Sequence, residues 1–256
     1  MTPEARRRRR LRTPVLAVTA LGWAAILVLY AAGPGSANDP SGATGMPGMA
    51  GMASGSPAGS GPSGGLPDLT AFLAGWPLML VAMMAPLLIP ALRHAYTRSL
   101  PSRRRRTLTL LVVAYTATWS VAGLGLQELA AGLHALAGPD AWLAGLAVAV
   151  AWQSSPVKQR CLNRHHSQPP LAAFGRAADR SALRLGGVQA MWCVGCCWTL
   201  MLLPLLAGRW QPAVMLLVAL WIWAESIDTP AGPAWRVRLP ARAARLVLAT
   251  GRPFDD

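Results

Sequence analysis

The amino-acid sequence predicts an all-α integral membrane protein, a polytopic bundle of about six transmembrane helices with both termini on the cytoplasmic side. Three observations support this fold class. Of the 256 residues, 53% are apolar and only 13% are charged, whereas soluble domains carry about 25% charged residues. Six apolar stretches approach the roughly 20 residues that cross a bilayer. The Lys and Arg residues are clustered between those stretches.

The six predicted helices cover residues 14–32, 68–92, 107–130, 140–157, 186–207 and 212–229. The fourth has the shortest apolar run, because Gln153, Ser154 and Ser155 lie near its end. With the N-terminus inside, 23 of the 24 cationic side chains fall on the cytoplasmic side and Arg209 falls on the other. Cations accumulate on the cytoplasmic side of membrane proteins. This partition supports the fourth helix and predicts a multi-pass protein of the bacterial cytoplasmic (inner) membrane.

The net charge of +14 would suit a nucleic-acid-binding protein only if the cations shared a folded face with polar or aromatic partners. Here they are separated by long apolar runs, as topology signals are. The sequence therefore predicts the lipid bilayer as a partner and excludes nucleic acid.

The chain divides into five predicted regions. A basic cytoplasmic tail (1–13) precedes a first transmembrane anchor (14–32) and a Gly-, Pro- and Met-rich extracytoplasmic linker (33–67). A five-helix membrane domain (68–230) and a basic cytoplasmic interfacial tail (231–256) follow. The first apolar stretch is longer than the roughly 7–15 residues of a signal-peptide core, which favours an uncleaved anchor. The linker composition is typical of a disordered segment.

The linker contains three methionines at a three-residue spacing, Met46, Met49 and Met52. Thioether sulfur is a soft ligand that prefers Cu(I) and stays unprotonated at any pH. The spacing indicates an outer site for metal capture. The alternative is compositional drift in a Gly- and Ala-rich linker.

Three of the four cysteines lie on the fifth predicted helix at positions i, i+3 and i+4, namely Cys193, Cys196 and Cys197. This spacing places them on one helix face, which Met201 extends by one turn. The second predicted helix carries further soft ligands at a similar depth, followed by Pro86; they are Met79, Met83 and Met84. Sulfur ligands on two helices at matching depth predict a metal site within the membrane. The alternative is ordinary packing, for which Cys and Met are common residues.

Cys161 and His165 follow the fourth predicted helix in a basic segment. Cationic neighbours lower the pKa of a thiol, so the segment predicts a reactive thiolate that could hold copper or zinc with His165 at the cytoplasmic mouth. The alternative is a solvated basic loop with incidental histidines.

Glu225 lies near the inner end of the sixth predicted helix. An ionisable group there can belong to an ion path, or it can snorkel to interfacial water or pair with a cation of a neighbouring loop. The sequence contains no hydrolase or kinase constellation, so it predicts no enzyme activity of those classes.

Three blocks resemble a bacterial family of predicted metal-binding integral membrane proteins: Trp76 to Pro86, Ser155 to Leu162, and Cys193 to Met201. The resemblance implies metal handling, copper in particular. The sequence departs from the family pattern at two places. His165 stands near the place of a second cysteine, and Glu225-Ser226 stands where the family has an acidic-basic pair.

Three functions are consistent with these patterns. The first is a membrane protein that captures, moves or hands off Cu(I), with a metalloprotein or chaperone as its partner. The second is a thiol-disulfide oxidoreductase that uses Cys193 and Cys196 with Cys161 as a relay. The third is a non-catalytic accessory subunit whose cysteines serve only in packing.

Overall fold

The computed structural model describes residues 3–32, 69–228, 232–236 and 242. The described segments are helical with connecting turns, and no strand occurs in them. Within these ranges seven α-helices with defined bounds, α1 to α7 in chain order, span Pro3–Ala32, Leu69–Arg98, Arg104–Ala137, Ala141–Gln153, Pro156–His165, Gly175–Leu206 and Gln211–Ile227. The predicted all-α fold is confirmed. The predicted linker and most of the C-terminal tail lie outside the described residues.

Five segments are long and apolar enough to cross a membrane by length and composition: Arg12–Ala31, Gly75–Arg98, Arg104–Gln153, Gly175–Leu206 and Gly208–Ile227. The third of them contains both α3 and α4, separated by a single 3₁₀ turn at Gly138–Asp140. Six spans were predicted, whereas five segments of the described residues qualify. The difference arises because α4 has only 13 residues and is counted together with α3. At 1.5 Å per residue α4 is about 20 Å long, which is shorter than the hydrocarbon core.

The short length of α4 has a local cause. Ser154 and Ser155 end the helix, and Ser155 Oγ accepts the Lys158 N–H at 3.1 Å as the N-cap of α5. Pro156 then occupies the first position of α5, where its missing N–H has no cost. The sequence prediction merged this break into the fourth helix and treated α5 as a loop.

Contacts with α6 show the directions of α3 and α4 relative to α6. Gly186 lies against Leu111 of α3, and Cys193 lies against Tyr115 further along the same helix, so α3 and α6 are parallel. Along α4, Gly145 lies near Leu206 and Trp152 bonds to Gly195. Helix α4 is therefore antiparallel to both, and the chain reverses at Gly138, whose φ of 56° favours glycine.

The connections rich in cations meet at one end of the bundle. Arg103 and Arg106 bind the Asp179 carboxylate at 3.1 and 2.8 Å. At the opposite end, Tyr30 Oη donates to the Arg209 carbonyl at 2.8 Å, joining α1 to the connection that precedes α7.

Close packing of α3 on α6 depends on Gly186, because a Cβ there would lie 2.2 Å from the Leu111 carbonyl oxygen. We expect Gly186→Ala to destabilise the protein by about 1–3 kcal/mol through overpacking against backbone. The control is Gly187→Ala, whose Cβ would meet Thr118 Oγ1 at 3.9 Å. The control should be neutral or stabilising because alanine favours helix. Thermal unfolding in detergent, followed by circular dichroism, measures both, and equal midpoints would contradict the described packing.

Candidate metal centre

One turn of α6 carries the central thiol pair of the site. Cys193 and Cys197 are 1% and 2% exposed, and their sulfur atoms lie 4.0 Å apart. The Cys197 thiol also donates to the Cys193 carbonyl at 2.8 Å. The i, i+4 spacing predicted this common face. All four cysteines of the chain are free thiols.

Helix α2 brings a methionine to this pair. The Met84 sulfur lies 3.9 Å from the Cys193 sulfur, and Met84 is fully buried. The predicted match in depth between α2 methionines and α6 thiols is therefore found at Met84. Met79, Met83 and Met201 are also fully buried and lie in the surrounding hydrophobic core. Met46, Met49 and Met52 lie outside the described residues.

A proline and two indoles fix the backbone of α2 beside Met84. Pro86 has no N–H, so the Ala82 carbonyl, four residues earlier, loses its helical donor. Trp23 Nε1 of α1 donates to that carbonyl at 3.0 Å. Trp223 Nε1 of α7 donates to the Met83 carbonyl at 2.7 Å. Neighbouring helices thus donate to two carbonyls of this segment, and the Ala82 carbonyl, freed by Pro86, has the donor that apolar surroundings require.

The two known separations among the three sulfur atoms suit a three-coordinate metal ion. Three ligands at a metal–sulfur distance of about 2.3 Å lie about 4 Å apart in a trigonal plane. The two separations that meet at Cys193, 3.9 and 4.0 Å, agree with that figure. Within the described ranges, no group of three or more His, Cys, Asp or Glu side chains forms a metal site. The candidate centre depends on the methionine as its third ligand.

Two polar side chains approach Cys193 from other helices. Tyr115 Oη of α3 donates to the Cys193 sulfur at 3.3 Å. His165 at the end of α5 lines a small cavity together with Cys193. Gln189, one turn before Cys193, holds the imidazole through contacts of its Nε2 with His165 Nε2 at 2.8 Å and with the His165 carbonyl at 3.3 Å. The amide nitrogen can only donate, so His165 Nε2 accepts this bond and the imidazole is held in one orientation.

Helix α5 contradicts the alternative interpretation of this segment as a solvated basic loop. One face of this helix is buried against the bundle; it comprises Lys158, Gln159, Cys161 and His165. Burial raises the pKa of the Cys161 thiol above its ordinary value. The predicted lowering by cationic neighbours is wrong, because desolvation is the dominant effect at this position. His165 is 6% exposed and belongs to the site rather than to solvent.

A buried ion pair joins α5 to α7 beside the thiols. Lys158 Nζ bonds to Glu225 Oε1, with the two side chains 7% and 12% exposed. Gln153 Nε2 lies 3.4 Å from the same oxygen. Of the predicted settings for Glu225, pairing with a cation of a neighbouring segment is therefore observed. Cys196 lines the same small cavity as Glu225.

A small cavity of about 10 Å³ lies among these groups. It is lined by residues of four helices, namely Leu87, Leu162, His165, Cys193, Cys196, Cys197, Ile222, Glu225 and Ser226. A volume of this order holds about one water. The cavity therefore suits a single ion rather than an organic cofactor.

Sequence reasoning missed three contributors to the site. The indoles of Trp152 and Trp223 donate to the Gly195 and Met83 carbonyls. Lys158 was predicted as a topology signal and a cationic neighbour of Cys161, and not as the partner of Glu225. Pro86 was a usable signal, since a buried proline requires a donor for the carbonyl four residues earlier.

Comparison with known proteins supports a copper-related function. The family model PpoB2, described as a copper chaperone, matches residues 73–246. The match covers more than half of the chain and includes α2 to α7, with every cysteine. Neither the curated proteins nor the solved structures yield a match. The chain therefore belongs to the PpoB2 family of copper chaperones.

Proposed function

We propose that this protein binds Cu(I) inside the membrane at Cys193, Cys197 and Met84 and hands the ion to a partner apoprotein. The observation that carries the proposal is the three-sulfur arrangement, with both separations from Cys193 near 4 Å. Two thiolates and one thioether form a soft ligand set, which selects Cu(I) over harder divalent ions. His165 can serve as a further ligand. With it the site could also take zinc, which favours four ligands.

The proposal includes an entry side and an exit side. In this proposal the chain crosses the membrane six times and both termini lie inside. The linker methionines Met46, Met49 and Met52 collect Cu(I) outside the membrane. The buried ligands then hold the ion. Cys161 and His165 face the cytoplasmic end, where the cation-rich connections meet. The chain carries no ATPase motif, so hand-off proceeds by ligand exchange with the acceptor.

The contribution of the methionine is tested by Met84→Leu, which keeps side-chain volume and removes the soft ligand. We expect the affinity for Cu(I) to fall by about 10–100-fold or more, the loss that even outer-shell changes produce at metal sites. The measurement is competition with a water-soluble Cu(I) chelator. Met215→Leu, at an equally buried methionine of α7, is the matched control and should leave affinity unchanged. Equal affinities of the two variants would remove Met84 from the site.

A further inference from the structure

A second pair of thiols lies on the α5 side of the cysteine turn. We infer that Cys161 and Cys196 form a second Cu(I) position, through which the ion leaves the core cluster toward the cytoplasmic side. The core cluster is Cys193, Cys197 and Met84. This inference rests on the proposed function and divides the thiols of that site into a holding position and an exit position.

The first observation is the close approach of Cys161 to α6. Its sulfur lies 2.8 Å from the place that a Cβ on Gly195 would occupy, so only glycine leaves room for it. Gly195 stands between Cys193 and Cys196 in the sequence, which places Cys161 directly on the cysteine turn. Trp152 Nε1 donates to the Gly195 carbonyl at 3.0 Å and holds this backbone in place.

The second observation is the set of charges around Cys196. Cys196 lines the same small cavity as Glu225, whose carboxylate is paired with the Lys158 ammonium group. Two thiolates and one Cu(I) carry a net charge of minus one. A buried ammonium group beside them offsets that charge, which would otherwise be costly in the membrane interior. The core cluster has Tyr115 and His165 as its polar neighbours instead.

The arrangement permits transfer by single ligand exchanges. Cys193 is close to both Cys197 and Cys196, so the ion can pass from the first pair to Cys193 with Cys196, and then to Cys196 with Cys161. The Cu–S bond to Met84 breaks first and leaves the ion on the two thiolates; in each exchange that follows, one Cu–S bond forms and one breaks. The entering thiol loses its proton and the departing thiolate takes one up. Copper remains Cu(I) throughout, and no electron is transferred.

The experiment compares two double variants of the full chain purified in detergent, each loaded with one equivalent of Cu(I) without oxygen. Cys161→Ser with Cys196→Ser should keep the bound copper but release it to excess bathocuproine disulfonate at least about tenfold more slowly than wild type. Cys193→Ser with Cys197→Ser should hold little copper before chelator is added. Release from the first variant at the wild-type rate, or faster, would overturn the inference.

A second variant covers the case in which the double serine change prevents folding. Gly195→Ala retains all four thiols but displaces the Cys161 sulfur, and it should slow release similarly. Gly187→Ala, elsewhere on α6, should not. Normal release from Gly195→Ala would also overturn the inference. Wild-type protein that binds no Cu(I) would instead overturn the proposed function.

Discussion

Replacing Cys193 and Cys197 together by serine is expected to reduce the Cu(I) held by the purified chain from about one ion to nearly none. Both thiols are buried, and with Met84 they form the three-sulfur cluster. Serine oxygen is a hard and weakly acidic donor that replaces neither thiolate. The measurement is the copper content after anaerobic equilibration with Cu(I) and removal of free metal.

Cys161→Ser alone serves as the control, because it leaves the three-sulfur cluster intact and should retain copper. Copper content of the double variant equal to wild type would contradict the assignment. A variant that binds copper normally but loses thiol-disulfide exchange would favour the oxidoreductase alternative. Normal behaviour in both assays would favour the accessory-subunit alternative.

Lys158→Met is expected to destabilise the protein by about 3–5 kcal/mol, because it leaves the buried Glu225 carboxylate without its partner. The double change Lys158→Met with Glu225→Met should recover most of that loss, since an apolar pair of similar volume is often neutral. Thermal unfolding of the purified protein in detergent measures both effects.

An exposed ion pair of the same protein is the matched control. Arg106 is 66% exposed where it binds Asp179, so Arg106→Ala should cost less than about 1 kcal/mol. If Lys158→Met and Arg106→Ala lower the unfolding midpoint equally, the Lys158–Glu225 pair does not hold α5 to α7 in the way described.

The fold was predictable where one chemical pattern dominated a long segment. The apolar stretches located α1, α2, α3, α6 and α7, although several helices extend beyond the apolar part, because arginine is a good helix former. Helix α5 was missed, because its basic composition resembles a loop. Its start was still marked by Ser155 before Pro156, an N-cap followed by a proline at the first helical position.

The site was predictable where ligands share one helix. The spacing of Cys193 and Cys197 predicted that they share one helix face. The estimated depth of each residue in the membrane predicted that Met84 lies close to them, and both proximities are observed. The polar contacts were only partly predictable: a cation of a neighbouring loop was among the predicted settings of Glu225, but Lys158 lies 67 residues away in sequence and no periodicity identifies it as the partner. The pKa of Cys161 was misjudged for the same reason, because its burial arises from the tertiary contact with Gly195.

The most direct test of the central claim is the copper X-ray absorption spectrum of the wild-type chain, loaded with Cu(I) and washed with a competing chelator. The account predicts that copper is retained as Cu(I), with a first shell dominated by sulfur at about 2.3 Å. Loss of the copper to the chelator, or a first shell of nitrogen and oxygen without sulfur, would contradict it.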